Sequence, residues 1–125
     1  MVKSKRCEEL VKRIKKERGY ILDWQELMAE YDPDFFERYD ELYMGVMKGE
    51  HLPEKYKQLI LCAAAACMLN EKSLEVHTKK ALETGATPEQ LIETLEIAFF
   101  LGGVPAIYYA AKYVRAAIDS MEAQR

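Results

Sequence analysis

The stretch that decides the fold is an unbroken run of eleven apolar residues, Leu59-Ile60-Leu61-Cys62-Ala63-Ala64-Ala65-Ala66-Cys67-Met68-Leu69. Pro53 can open a helix that runs through this stretch to Leu69, because proline is tolerated in the first helical turn. A helix without a polar side must be surrounded by other parts of a protein. Eleven residues are too few for a membrane span, which needs about 20.

The sequence on the C-terminal side of this run also predicts helices. Asn70 begins an amphipathic stretch that ends at Gly85, which suits the left-handed position after a helix. The segment Thr87-Pro88-Glu89-Gln90 has the spacing of a capping box, with proline at the first helical position. Gly102-Gly103 then interrupts an apolar helix, and Val104-Pro105 starts a last one that runs to about residue 122.

On the N-terminal side, Asp32-Pro33 combines a capping residue with a proline and predicts another helix start. The apolar residues after it repeat at intervals of three and four, as on one helix face: Phe35, Phe36, Tyr39, Leu42, Tyr43, Val46 and Met47. Asp23 can cap a shorter helix, and one more is predicted within residues 1–18. No segment alternates as a strand does. The sequence therefore predicts an all-α protein of about seven helices in one domain, residues 1–125.

Two segments are too apolar for a small monomer. Residues 59–69 have no polar face, and residues 97–111 carry polar side-chain atoms only on Tyr108 and Tyr109. A chain of 125 residues can enclose one such helix, but its ratio of surface to volume makes it difficult to enclose two. We therefore predict a homo-oligomer, which buries the excess apolar surface.

Composition excludes several classes of protein. The chain is 50% hydrophobic and 31% charged with a net charge of −3, which is typical of a globular domain and argues against a nucleic-acid binder. No secretory signal is visible near the N-terminus. Three cysteines cannot form a complete disulfide framework, and we interpret them as buried thiols. These features predict a cytoplasmic protein without nucleic-acid or membrane partners.

Charge is unevenly distributed along the chain. Residues 1–18, Lys3 among them, hold eight Lys and Arg against three Glu, and residues 23–54 hold ten Asp and Glu. A basic arm can contact RNA or a membrane. We favour a solvated helix face, because Cys7, Leu10 and Ile14 fall at helical spacing and leave the basic residues on the other side. That face could lie against the acidic segment of its own or a neighbouring subunit.

The candidate site is a polar stripe on the helix after Asn70. Offsets of three and seven place Asn70, Ser73 and His77 within about 60° of arc, whereas Glu71 and Glu75 point elsewhere, toward solvent. His77 is one of only two histidines, and its imidazole titrates near neutral pH. A structural role for this histidine stays open at this point. The chain has too few His and Cys residues for a zinc site, and we predict no metal and no cofactor.

Three segments, in this order and at this spacing, carry a resemblance to a known family: residues 52–61, the Gly85-Ala86-Thr87-Pro88-Glu89 turn after His77, and Gly102-Gly103-Val104-Pro105. Over about residues 34–118 the chain resembles the carboxymuconolactone decarboxylase family, which also contains the alkylhydroperoxidase D-like proteins. The resemblance implies that family's all-α fold, assembly as a trimer or hexamer, and residues 1–31 as an N-terminal helical extension.

Departures from the family pattern indicate which branch of the family, peroxidase or decarboxylase, this chain resembles more. The peroxidase members carry a Glu, a Cys-x-x-Cys pair and a His, and the matching positions here are Gln58, Asn70, Ser73 and His77. Asn and Ser cannot run the thiolate–disulfide cycle of peroxide reduction. The decarboxylase members likewise keep the histidine and lack the cysteine pair. The resemblance therefore implies decarboxylase-like chemistry more than peroxidase chemistry.

The roles that this resemblance implies can be assigned by residue. His77 is the predicted proton donor for a carboxylated lactone or related small organic acid. The predicted substrate contacts are Gln58, Asn70 and Ser73 through hydrogen bonds and Gly102 and Gly103 through close approach of the backbone. Two alternatives stay open: an oligomeric binding protein without enzymatic activity, whose site has decayed, and, less favoured, a thiol-dependent peroxidase.

Overall fold

A computed structural model describes residues 4–125, and every regular element in this part of the chain is a helix. The helices are α1 (Lys5–Arg18), α2 (Asp23–Tyr31), α3 (Pro33–Met47), α4 (Glu54–Cys67), α5 (Glu71–Glu83) and α6 (Pro88–Ala123). The predicted all-α class is confirmed. Within the described residues there are six helices rather than about seven.

The difference in number arises at one glycine. Gly103 has φ 68° and ψ −167°, a conformation that is open almost only to glycine, and it breaks the helical geometry inside α6. The chain returns to helical geometry directly afterwards, with Pro105 in the first turn of the second half. The break that the sequence predicts at Gly102-Gly103 is therefore present, and the two helices on either side of it follow each other directly and are counted together as α6.

Replacing Gly103 by alanine should lower the free energy of unfolding by about 1–3 kcal/mol, because a Cβ atom disfavours this backbone conformation. The matched control is Gly45→Ala in α3, where an added Cβ would meet nothing within 4 Å and φ is not positive. Alanine there should stabilise the helix by about 0.5–1 kcal/mol. Urea unfolding of both variants measures the difference. Equal effects would show that the kink does not depend on glycine.

The predicted single domain contains two compact units, divided after Gly49. In the first unit, α1, α2 and α3 enclose a small core. Its fully buried apolar residues are Cys7, Ile14, Ala29 and Phe36. The ring of Trp24 packs edge-on against Tyr39, with ring centroids 5.0 Å apart.

The basic face of α1 pairs with acidic residues of its own chain. Arg6 lies 2.6 Å from both Asp34 and Glu37 of α3, and Lys15 lies 4.0 Å from Glu26 of α2. The prediction that this face lies against the acidic segment is therefore confirmed within one subunit. Lys3 lies outside the described residues.

One ion pair of this unit is buried. Asp40 of α3 accepts hydrogen bonds from Arg18 at the end of α1 and, over 3.2 Å, from Arg13. The side chains of Asp40 and Arg18 are each only 5% exposed. The Arg18 guanidinium also lies over the Tyr43 ring, 4.1 Å from its centroid. This cluster joins α1 to α3, and because Asp40 and Arg18 are buried, salt screens their attraction much less than that of an exposed pair.

The second unit, from Glu50 onward, packs α4, α5 and α6 against one another. Its core contains Cys62 of α4, Leu74 and Ala81 of α5, and Leu91 and Ala106 of α6. The opposite side of α4 is not covered, since Ile60 and Met68, which directly follows the helix, are more than half exposed. The prediction that this helix is surrounded on all sides is not met by the single chain.

Among the described helices, α6 alone is long and apolar enough to cross a membrane, judged by length and composition. The apolar core helices of soluble proteins meet the same criteria. In this unit Ala98, Ala106 and Ala110 of α6 are buried in the core formed with α4 and α5. The absence of a membrane partner stays a prediction.

Candidate active site

Asn70, the first residue of the predicted stripe, is held in place by the start of α5. The Asn70 side-chain oxygen accepts a hydrogen bond of 3.1 Å from the Ser73 backbone N–H and so caps the helix. This leaves the NH₂ group of the Asn70 amide as the part that can donate to a ligand. Asn70 was predicted to contact substrate, and the structure gives its oxygen a structural role.

The stripe changes in exposure along α5. Asn70 is exposed, Ser73 one turn later is half-buried, and His77 a further turn along is 9% exposed. These three residues lie on one face of the helix, as the spacing predicts. The stripe therefore leads from the surface toward the buried histidine.

His77 is held by a residue of the neighbouring helix. Its Nδ1 atom lies 2.8 Å from Oε1 of Gln58 in α4, and both side chains are buried. With the amide oriented in this way, the carbonyl oxygen can only accept, so Nδ1 of His77 donates. The Gln58 oxygen therefore orients the imidazole. The predicted contact between Gln58 and a substrate stays a prediction.

This hydrogen bond determines which ring nitrogen can exchange a proton. A proton held on Nδ1 by Gln58 leaves Nε2 as the nitrogen that gains a proton in the imidazolium and loses it in the neutral ring. The neutral carboxamide orients the ring without adding a negative charge beside it. A carboxylate at this position would favour the charged imidazolium.

Gln58→Glu should therefore raise the pKa of His77 above its wild-type value, because an adjacent carboxylate stabilises the protonated ring. NMR titration of the imidazole signals measures the change. His51→Gln identifies the His77 signal, because these are the only two histidines. Gln58→Leu, which removes the hydrogen bond without adding charge, should not raise the pKa. An unchanged pKa in Gln58→Glu would show that the two side chains are not in contact in solution.

The two glycines of α6 have separate roles. A Cβ atom on Gly102 would lie 3.2 Å from Sγ and 3.3 Å from Cα of Cys67, so this glycine allows α6 to touch the end of α4. Gly103 forms the kink, and its added Cβ would meet only the Pro105 ring at 3.6 Å. Gly102 thus serves helix packing and Gly103 the kink. The predicted close approach of substrate to the backbone of these two glycines stays a prediction.

Contacts around α5 also include one that the sequence analysis missed. Glu71 was predicted to face solvent, but it accepts a hydrogen bond of 3.1 Å from the Tyr113 hydroxyl and lies 3.3 Å from the Lys112 ammonium. These bonds connect the first turn of α5 to α6. Glu75 is exposed and pairs with Lys72, in agreement with the prediction.

The cysteine thiols are in protected settings. Burial raises the pKa of Cys62 to about 12, so its thiol stays protonated and unreactive near neutral pH. Cys67 donates to the Ala98 carbonyl oxygen over 3.5 Å. Across the described residues no cysteine is in a disulfide, and no group of three or more His, Cys, Asp or Glu side chains could hold a metal ion.

Proteins of known sequence and structure resemble this chain over most of its length. An uncharacterized protein of Methanocaldococcus jannaschii is 30% identical over 89 residues, which covers 71% of this chain and 83% of that protein. A crystal structure from Burkholderia xenovorans, provisionally described as a carboxymuconolactone decarboxylase, shares the fold with a TM-score of 0.83 at 24% identity. It covers 95% of this chain and 98% of that one.

A second crystal structure is that of a carboxymuconolactone decarboxylase family protein from Legionella pneumophila. It matches with a TM-score of 0.68 at 25% identity and covers 93% of this chain and 97% of that one. The sequence model of the carboxymuconolactone decarboxylase family matches residues 33–116, close to the predicted 34–118. The chain therefore belongs to the carboxymuconolactone decarboxylase family.

Proposed function

We propose that this protein is a carboxy-lyase that removes CO₂ from a carboxylated lactone or a related small organic acid, with His77 as the proton donor. The observation that carries the proposal is the buried hydrogen bond between His77 Nδ1 and Gln58 Oε1. A histidine that is oriented by one nitrogen can exchange protons through the other.

The reaction needs a proton donor, a weakly hydrated site and hydrogen-bond donors for the developing anion. The bond between the carboxylate and the ring carbon breaks, CO₂ leaves, and the electron pair delocalises onto the lactone carbonyl oxygen. The imidazolium of His77 then gives its Nε2 proton to carbon, and the neutral ring regains a proton from solvent. A weakly hydrated site favours loss of CO₂ because it destabilises the carboxylate more than the delocalised anion.

Two further residues of the stripe can stabilise the negative charge that develops on the substrate. The Ser73 hydroxyl and the NH₂ group of Asn70 can each donate a hydrogen bond to a substrate oxygen. Both residues lie nearer the surface than His77 on the same helix face. The substrate would enter along this stripe with its reacting carbon toward His77.

The cysteines support decarboxylation over peroxide reduction. The family resemblance matches Asn70 and Ser73 to the positions of the peroxidase thiols. Burial raises the pKa of the Cys62 thiol to about 12. Reduction of a peroxide requires a thiolate as the nucleophile.

Replacing Cys62 by alanine should lower the free energy of unfolding by about 1 kcal/mol through lost packing and leave turnover unchanged. Cys67→Ala should behave in the same way. Urea unfolding and a turnover assay on each variant measure the two effects. Loss of turnover in either folded variant would assign that thiol a catalytic role.

The proposal includes a homo-oligomer, a trimer or a hexamer. It is supported by the uncovered side of α4 and by the large apolar side chains that the kinked part of α6 exposes. These side chains would be enclosed in an assembly.

The direct test is release of CO₂ from a panel of carboxylated lactones and β-keto acids, with peroxide consumption followed in parallel. We expect CO₂ release with at least one substrate and no thiol-dependent loss of peroxide. Binding of these acids without turnover would favour the non-enzymatic binding protein instead. Peroxide consumption that requires Cys62 or Cys67 would favour the peroxidase.

A further inference from the structure

The kink of α6 forms an apolar groove in the second compact unit. Its walls include Ile92 and Leu95 from the first half of the helix and Ile107, Val114 and Ile118 from the second half. In an uninterrupted helix Ile92 and Ile118 would be about 39 Å apart. Both can line one groove of about 200 Å³ because the chain turns at Gly103 and brings the two halves of α6 together.

This groove is separate from the candidate active site. The residues that line it all belong to α6, whereas Gln58 and His77 belong to α4 and α5. Its volume is below the about 300–1,000 Å³ of pockets that hold drug-sized ligands. The groove therefore suits a small molecule with a short apolar part.

Two opposite charges are among the residues that line the groove. Arg115 and Asp119 are both exposed and lie one turn apart on α6. Residues at this spacing have Cβ atoms about 5–6 Å apart. Within residues 4–125, however, neither side chain forms an ion pair or a hydrogen bond. Both charges are therefore accessible to a ligand in the groove.

The order of these two residues is the less favourable one for an ion pair within a helix. An acidic residue four positions before a basic one pairs better than the reverse, because that order suits the helix dipole. Here the arginine comes first. A ligand carboxylate can form two parallel hydrogen bonds with Arg115. A ligand with a carboxylate alone would place a second negative charge near Asp119, whereas a ligand that also carries an ammonium group would satisfy both residues.

We propose that this groove binds a free α-amino acid with an apolar side chain, such as leucine. The carboxylate pairs with Arg115, the ammonium group pairs with Asp119, and the apolar side chain packs against the isoleucines of the walls. An α-amino acid carries both charges on one carbon atom, which matches two charged side chains on adjacent helical turns. This site goes beyond the proposed decarboxylation and does not depend on it.

The first test is an NMR titration of the isoleucine methyl signals with L-leucine. We expect the signals of Ile107 and Ile118 to shift with a dissociation constant in the millimolar range, because the groove is open to solvent. The signal of Ile14, which is buried in the first compact unit, should not move. Two analogues of leucine should bind about tenfold more weakly, since 4-methylpentanoate lacks the ammonium group and 3-methylbutylamine lacks the carboxylate.

Variants assign the charged contacts. Arg115→Gln and Asp119→Asn should each raise the dissociation constant of leucine about tenfold. Arg38→Gln is the matched control, because it removes an exposed arginine from α3, outside the groove, and should leave the affinity unchanged. Ala111→Trp places a large side chain in the groove and should abolish binding. Circular dichroism checks that each variant is folded.

Three results would overturn the proposal. Signals of Ile107 and Ile118 that stay in place at tens of millimolar leucine would show that the groove binds no amino acid. Binding of 4-methylpentanoate as tight as that of leucine would refute the contact between Asp119 and an ammonium group. Unchanged affinity in a folded Arg115→Gln variant would place the bound leucine elsewhere.

Discussion

Turnover of the His77→Gln variant should fall by roughly 10²–10⁴-fold on any substrate that the wild-type protein decarboxylates, the usual contribution of a general acid or base. Glutamine is similar in size and forms hydrogen bonds, but it cannot deliver a proton at neutral pH. The substitution therefore separates proton transfer from packing. Steady-state turnover measured together with the melting temperature gives both effects.

Ser73→Ala is the matched control on the same helix face. It removes one hydrogen-bond donor from the stripe and no titrating group, so its turnover should fall less than that of His77→Gln. Turnover that stays at the wild-type level in a folded His77→Gln variant would assign His77 a purely structural role.

The second large effect concerns stability. Asp40→Ala should lower the free energy of unfolding by about 3–5 kcal/mol, because it leaves the buried Arg18 charge without its carboxylate. Trp24 is the only tryptophan of the chain and lies in the same compact unit. Its fluorescence during urea unfolding reports on this unit.

Asp34→Ala provides the control for this prediction. Asp34 also belongs to α3 and also pairs with an arginine of α1, Arg6, but both side chains are largely exposed. Exposed ion pairs contribute about 0–1 kcal/mol. Similar losses in the two variants would mean that the Asp40 cluster is hydrated in solution.

Local signals in the sequence predicted much of the fold. The capping box appears as expected, with Gln90 N–H bonded to Thr87 Oγ1 over 3.1 Å and Thr87 N–H to Gln90 Oε1 over 3.0 Å. Gly85 has φ 104°, as its position after α5 predicts. Such signals are readable because the interacting residues lie within one turn of each other.

Contacts between helices could not be predicted from such local signals. Gln58 and His77 are 19 residues apart, and their hydrogen bond depends on how α4 packs against α5. Glu71 was assigned to solvent from its angle on one helix, whereas α6 supplies its partners. The one signal that linked Gln58 to the histidine was the family resemblance, in which Gln58 matches the position of the glutamate of the peroxidase members.

The pH dependence of turnover, measured with an NMR titration of His77, tests the central claim most directly. If the protonated ring is the acid, the rate falls as pH rises through the pKa that NMR assigns to His77, and Gln58→Glu moves both to higher pH together. A falling limb at another pH, or one that stays in place while the His77 titration moves, would contradict the assignment of His77 as the proton donor.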